Sequence, residues 1–309
     1  MNRRTAIRTL VVAGAGSFVA RLLARGGPQD FVIRSDVRLV LLDVSVKDAR
    51  GSSVTGLAKD HFTVFENGDA QPITVFANDD VPVTVGILVD ESLSMLPKRD
   101  DVISAAEIFI QASNPHDEIF VLNFNDAVKR GLPGQTLFSD DIGQLKDALE
   151  RGVPRGRTAF YDAIVDGLQQ LALGGREKKA LVVISDGGDN ASRHTRAEVS
   201  GMVERSLATI YAVGLFDADD TDQNPGILKR LADVSGGEAF FPPSPSSMAG
   251  ICQGIAKEIR TRYTIGYLPP ANHGPLRHVQ VRVSAPGHSG LRARTRTRYR
   301  YDELSSSRG

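Results

Sequence analysis

Short apolar runs alternate with amphipathic stretches through the middle of this chain, and period-two patterns flank them on both sides. TVGILVD, EIFVLNFN, KKALVVISD and ATIYAVGLF are near-continuous runs rich in Val, Ile, Leu and Phe. Runs of this kind predict strands buried on both faces, as in a parallel sheet. Between and after them the spacing predicts helices over 101–112, 142–151, 159–173, 196–206, 225–234 and 248–262. The rhythm of strand and helix predicts an α/β fold with an open, doubly wound, mostly parallel sheet.

On the N-terminal side, Val40, Leu42, Val44 and Val46 alternate with Leu41, Asp43 and Ser45, and 61–66 reads as a second strand. Asn67-Gly68-Asp69 then signals a tight hairpin, with 71–76 as the return strand. On the C-terminal side, 263–267, 278–283 and 291–301 read as β, with Val279, Val281 and Val283 alternating with Gln280 and Arg282. Neither flank is large enough to form a core alone. The expectation is therefore one small β-sandwich built from both flanks (33–80 and 264–302), with the α/β domain (82–263) inserted between them; the competing arrangement is two separate hairpins packed on that domain.

Composition narrows the classes. With 309 residues, 41% of them apolar and 24% charged, the chain can bury an ordinary core. Lys plus Arg number 37, as do Asp plus Glu. The balance argues against bulk charge that would hold nucleic acid or an anionic membrane. Cys252 is the single cysteine, so no intrachain disulfide can form.

The first 25 residues read as a targeting segment. MNRRTAIR is a basic lead and TLVVAGAGSFVA is an apolar stretch too short to span a bilayer, so a signal peptide is the expectation. Arg3-Arg4 loosely resembles a twin-arginine signal, without the aromatic such signals favour. Export to the periplasm or outside follows from this reading, and the segment also offers a membrane association if it is retained. Residues 303–309 are expected to be a disordered tail.

Candidate chemistry gathers where the strands end. Ligands of an open α/β sheet bind beyond the carboxyl ends of its strands. Asp90-Glu91-Ser92-Leu93-Ser94 follows the first central strand, Asp186 follows VVIS, and Gly156-Arg157-Thr158 opens the helix that begins TAFYDAI. Three loops thus bring Asp90 and Asp186 together with the hydroxyls of Ser92, Ser94 and Thr158. An all-oxygen set suits a hard cation such as Mg2+, which takes oxygens at about 2.0–2.1 Å, and Mn2+ or Ca2+ would accept the same donors. The six His are scattered, so nothing points to a softer metal.

With D-x-S-x-S at 90–94, Thr158 in GRTAFYDAI and Asp186 in VVISDGGDN, the chain resembles the von Willebrand factor A domains that carry a metal-ion-dependent adhesion site. The resemblance spans about 82–263 and includes LADVSGGEAFFP, similar to that family's late helix and last strand. It implies that Ser92, Ser94 and Thr158 coordinate the metal through hydroxyls, with Asp90 and Asp186 often acting through water. It further implies a non-enzymatic binding module whose protein partner presents an acidic side chain that completes the coordination. The flanks resemble a subgroup of exported proteins of acidobacteria-type bacteria. Leu93 stands where the family's commonest motif has Gly, and Glu91 where it has a small or polar residue. Glu91 is expected either to draw charge toward the ion or to face solvent.

Other readings compete. Asp and Ser are common turn and cap residues, which alone would account for D-x-S-x-S. A serine hydrolase would need a base near Ser92 or Ser94, and His194 in the polar ASRHTR is the nearest downstream candidate. A metal-dependent hydrolase or a regulatory subunit of an enzyme would use the same oxygens. FDADDTDQNP, with Asp217, Asp219, Asp220 and Asp222, lacks the Gly and Glu of an EF-hand loop and reads as a solvated acidic rim. Arg292, Arg294, Arg296, Arg298 and Arg300 fall at period two, which puts all five on one strand face. That face is expected to be a solvated or charged edge, with a polyanion-binding stripe as the alternative.

Overall fold

The computed structural model describes residues 39–216, 222–271 and 274–301. The leader, the tail and Asp217–Asp220 lie outside the described residues.

β1 (Val40–Lys47), β2 (Phe62–Glu66), β3 (Asp69–Gln71) and β4 (Ile73–Ala77) precede the α/β block. Asn67 and Gly68 both take positive φ, 50° and 98°, which is what a two-residue turn between twisted strands requires. The central strands are β5 (Val83–Asp90), β6 (Glu118–Phe124), β7 (Val128–Arg130), β8 (Lys178–Ser185), β9 (Thr209–Gly214) and β10 (Ala239–Phe240). They form one sheet in the order β10-β9-β8-β5-β6-β7, parallel except for the edge pair β6–β7. Every residue of β5 and β9 is buried, which is why their sequences show no alternation.

The helices are α1 (Arg99–Ala112), α2 (Ile142–Glu150), α3 (Phe160–Ala172), α4 (Arg196–Arg205), α5 (Pro225–Ser235) and α6 (Met248–Arg260). α1 packs on α2 and α6, and α4 packs on α3 and α5, so two helix layers enclose the sheet. Starts are set locally. The Asp141 carboxylate caps α2, Thr195 and Glu198 form a capping box on α4, and Asn224 caps α5 ahead of Pro225. No helix among the described residues is long and apolar enough to cross a membrane.

β11 (Tyr263–Tyr267), β12 (Leu276–Val283), β13 (Arg292–Arg294) and β14 (Arg298–Arg300) follow. Two four-stranded sheets result, β13-β1-β11-β4 and β14-β12-β2-β3, each drawing strands from both flanks. Leu42, Val44, Phe62, Val64, Tyr263, Ile265, Tyr267, Val279 and Val281 fill a shared core between them. The flanks therefore make one sandwich around the inserted α/β domain, not two separate hairpins.

Two expectations need correction. The stretch 71–76 is not one return strand: β3 pairs with β2, whereas β4 pairs with β11 in the other sheet. Pro72, with no N–H to give a ladder, stands at the crossing. The five arginines likewise do not share a face. β13 pairs with β1 and β14 with β12, and Thr295–Thr297 carry the chain from one sheet to the other. Arg294 bonds the Gly237 carbonyl at 2.8 Å, buried Arg296 donates to the Ser206 carbonyl, and Arg298 pairs with Glu204 at 2.8 Å. These side chains tie the sandwich to the α/β domain.

Buried ionic groups do the same from the other side. Arg262 donates to the Asp43 and Gly236 carbonyls at 2.8 and 2.9 Å and to the Tyr211 hydroxyl at 2.9 Å. Inside the sandwich, fully buried Arg277 pairs with Glu66 at 2.8 Å, and the hydroxyls of Tyr267 and Tyr299 each donate to Glu66 Oε2 at 2.7 Å.

Candidate metal centre

β5 and β8 are adjacent parallel strands, so Asp90 at the end of one and Asp186 just past the other emerge side by side. The chain after Asp90 turns at Ser92 and enters a short 3-10 helix, Leu93–Lys98. Asp90 Oδ1 accepts the Ser92 N–H at 2.9 Å, which fixes the turn, and Oδ2 accepts the Ser185 hydroxyl at 2.6 Å. Ser92 Oγ lies 3.0 Å from Ser94 Oγ, and Ser94 Oγ donates to Asp186 Oδ2 at 2.8 Å. Asp186 Oδ1 accepts the Gly188 N–H at 2.9 Å. Asp90, Ser92, Ser94 and Asp186 thus form one connected group of oxygens, and Asp90 is only 2% exposed.

Thr158 is held in place by its backbone. Its N–H donates to Asn190 Oδ1 at 3.0 Å, and its carbonyl accepts the N–H groups of Asn190 and Ala191 at 3.0 and 3.1 Å. The loop after Asp186 thereby anchors the loop that carries Thr158. The Leu93 N–H donates to the Gly156 carbonyl at 3.4 Å, joining the same loop to the serine turn.

Burial, and then the neighbouring Asp186 charge, push the Asp90 carboxyl up to about 7. Hydrogen bonds from Ser185 and Ser92 recover only part of that shift. A buried carboxylate pair in this condition fits a cation, which would remove the repulsion. Among the described residues no group of three or more His, Cys, Asp or Glu could hold a metal. An ion here must therefore draw on hydroxyls, and two carboxylates beside the Ser92 and Ser94 hydroxyls are oxygen donors of the kind a hard cation takes.

Glu91 does not face solvent. It is 1% exposed, with Oε2 accepting from Arg99 Nε at 3.1 Å. Arg99 in turn donates to the carbonyls of Glu150 and Gly152 at 3.0 and 2.8 Å. The Arg155 N–H meets the Glu91 carbonyl at 2.9 Å. Desolvation raises the Glu91 carboxyl and Arg99 opposes the rise. Glu91 and Arg99 form a clamp beneath the serine turn, holding it against the segment that leads to Thr158. The exposed apolar residues in and just after D-x-S-x-S are Leu93 and Leu96, 58% and 54% accessible.

Sequence reasoning missed Ser185, the Glu91–Arg99 clamp and the Asn190 anchor. Ser185 could have been found, as the polar residue that ends a buried strand immediately before Asp186. The clamp could not, because nothing in the motif pairs Glu91 with Arg99, on the helix that follows, or with the distant Gly152. His194, the candidate base, has Nδ1 2.6 Å from Asp162 Oδ1 on α3. The hydroxyls of Ser92 and Ser94 are bonded to each other and to Asp186, not to an imidazole.

Residues 85–188 match the model of the von Willebrand factor type A domain. No curated protein sequence matches the chain. Among solved structures, a von Willebrand factor type A protein from Catenulispora acidiphila is 14% identical, with a TM-score of 0.52 over 86% of this chain and 74% of that one. Proximal thread matrix protein 1 from the mussel byssus, in a form with a zinc-occupied MIDAS motif, is 18% identical with a TM-score of 0.48, over 58% of this chain and 48% of that one. The vWF domain of the type V pili tip protein Mfa5 from Porphyromonas gingivalis is 14% identical with a TM-score of 0.46, over 58% of this chain and 95% of that one. The matched segment runs from β5 to the loop after β8, and the sheet and helix layers around it share the fold of the Catenulispora acidiphila protein: over residues 85–188 this chain is similar to a von Willebrand factor type A domain.

Proposed function

We propose that the chain is a non-enzymatic, divalent-metal-dependent protein-binding module, exported from the cell. Asp90, Ser92, Ser94, Thr158 and Asp186 hold Mg2+, with Mn2+ or Ca2+ as substitutes, and the partner contributes an acidic side chain. The observation that carries this reading is the connected oxygen group Asp90–Ser92–Ser94–Asp186, with Asp90, Ser92 and Asp186 buried, Ser94 half-buried and one carboxyl pushed up to about 7. When bound, the ion supplies an electrophilic point that a partner carboxylate can ligate. The chain's own residues set that point at the carboxyl end of the sheet, with Leu93 and Leu96 exposed beside it for apolar contact.

Titration calorimetry with Mg2+ tests the site. Wild-type protein should give saturable heat, and Ser92→Ala combined with Ser94→Ala should give none while the far-UV spectrum is retained. Unchanged affinity in the double variant would reject the assignment. Export is tested separately, by expressing the full chain with its leader and asking whether the mature protein leaves the cytoplasm.

A further inference from the structure

A groove runs between α4 and α5 and is closed at one end by β14. It consists of two adjoining depressions of about 330 and 470 Å³ that share Arg196 and Arg230 in their walls. Arg196 projects from α4, Lys229 and Arg230 from α5, and Arg298 and Arg300 from β14. Among the described residues that line it, two carboxylates oppose these five cations, Glu204 and Asp233. Buried Glu204 is already committed, pairing with Arg298 at 2.8 Å and Arg300 at 3.1 Å. Arg196, Lys229 and Arg230 are exposed and form no ion pair with another described residue. In a chain with 37 basic and 37 acidic residues, this is a local segregation of charge, not an overall excess.

We infer that this α4–α5 groove binds an extended acidic peptide segment, independently of the metal centre. Four of the five cations are arginines, whose planar forks match a carboxylate with two parallel hydrogen bonds. Between the cations the groove is lined by Ala197, Gly201, Gly226 and Val234, which are small or apolar. A peptide with acidic side chains at intervals, and small or apolar ones between, matches that alternation. A continuous polyanion would set charge against the apolar stretches, and a nucleic-acid duplex is too wide to enter between two packed helices. Arg298 and Arg300, fixed by Glu204, give the groove a preformed cationic end. Preorganisation of this kind lowers the entropic cost of binding.

Fluorescence anisotropy with the full chain and a fluorescein-labelled Glu-Ala-Glu-Ala-Glu-Ala peptide tests the inference, in low salt with a chelator so that no metal contributes. The expected result is saturable binding that weakens as salt is added. Arg196→Glu combined with Arg230→Glu, both at exposed positions, should weaken it about tenfold or more. Lys229→Glu is a second variant, expected to act in the same direction should the pair fail to fold. Absence of saturable binding, or unchanged affinity in folded variants, would overturn the inference. So would a heparin fragment or a single-stranded oligonucleotide that competes from the same groove more tightly than the peptide.

Discussion

Removing the guanidinium of Arg99 should destabilise the protein in a pH-dependent way. In Arg99→Ala, Glu91 keeps its buried position, and its carboxylate loses the donor at 3.1 Å. The carbonyls of Glu150 and Gly152 lose theirs as well. Breaking a buried pair by deleting one partner costs about 3–5 kcal/mol. Arg99 is partly exposed, which allows water to compensate, so about 3 kcal/mol at neutral pH is the expected loss. Burial already raises the Glu91 carboxyl, and Arg99 pulls it back; without Arg99 it rises further. A carboxyl whose folded pKa lies above its unfolded value costs stability progressively as pH climbs from the unfolded value to the folded one. The deficit of Arg99→Ala should therefore be smaller at pH 5 than at pH 8. Urea unfolding of wild type and variant at both pH values reads this directly. An equal deficit at the two pH values, or one below about 1 kcal/mol at pH 8, would refute the clamp.

Other outcomes follow from the same geometry. Because protons compete with a cation for Asp90, Mg2+ affinity should fall about tenfold per pH unit below about 7, measured by calorimetry between pH 5 and 8. In metal-free protein the sign is opposite for stability, which should decline as pH rises from the ordinary carboxylate range toward 7, since Asp90 then ionises while buried. Gly152→Ala would drive a Cβ into Glu91 Oε1, and should weaken Mg2+ binding and lower the thermal midpoint together. In the sandwich, Glu66→Ala strands buried Arg277 and two tyrosine hydroxyls, and should cost about 3–5 kcal/mol in urea unfolding, with metal affinity of the folded protein unchanged.

The α/β rhythm was legible because β5, β6, β8 and β9 are buried on both faces and their sequences say so without interruption. The Asn67-Gly68 hairpin was legible because only such residues accept two successive positive φ values. What escaped was the switching of sheets at Pro72 and at Thr295–Thr297, since period-two alternation continues through a corner and does not record which sheet a strand has joined. The arginine series shows the same limit. Its spacing is that of one strand face, yet Arg294, Arg296 and Arg298 each serve a different contact across the join to the α/β domain. At the candidate site, motif spacing named Asp90, Ser92, Ser94 and Asp186, whose oxygens the structure connects by hydrogen bonds. Glu91, which the motif leaves between two candidate ligands, took its role from Arg99 on the following helix and from the distant Gly152, contacts that the motif spacing does not record.

The most direct test of the central claim is capture of a partner by the purified chain in Mg2+, in chelator, and in chelator followed by restored Mg2+. The Asp90–Ser92–Ser94–Asp186 centre predicts retention in the first, loss in the second and recovery in the third, with none of the three seen in Ser92→Ala/Ser94→Ala. Retention that is indifferent to chelator and to the double variant would contradict it.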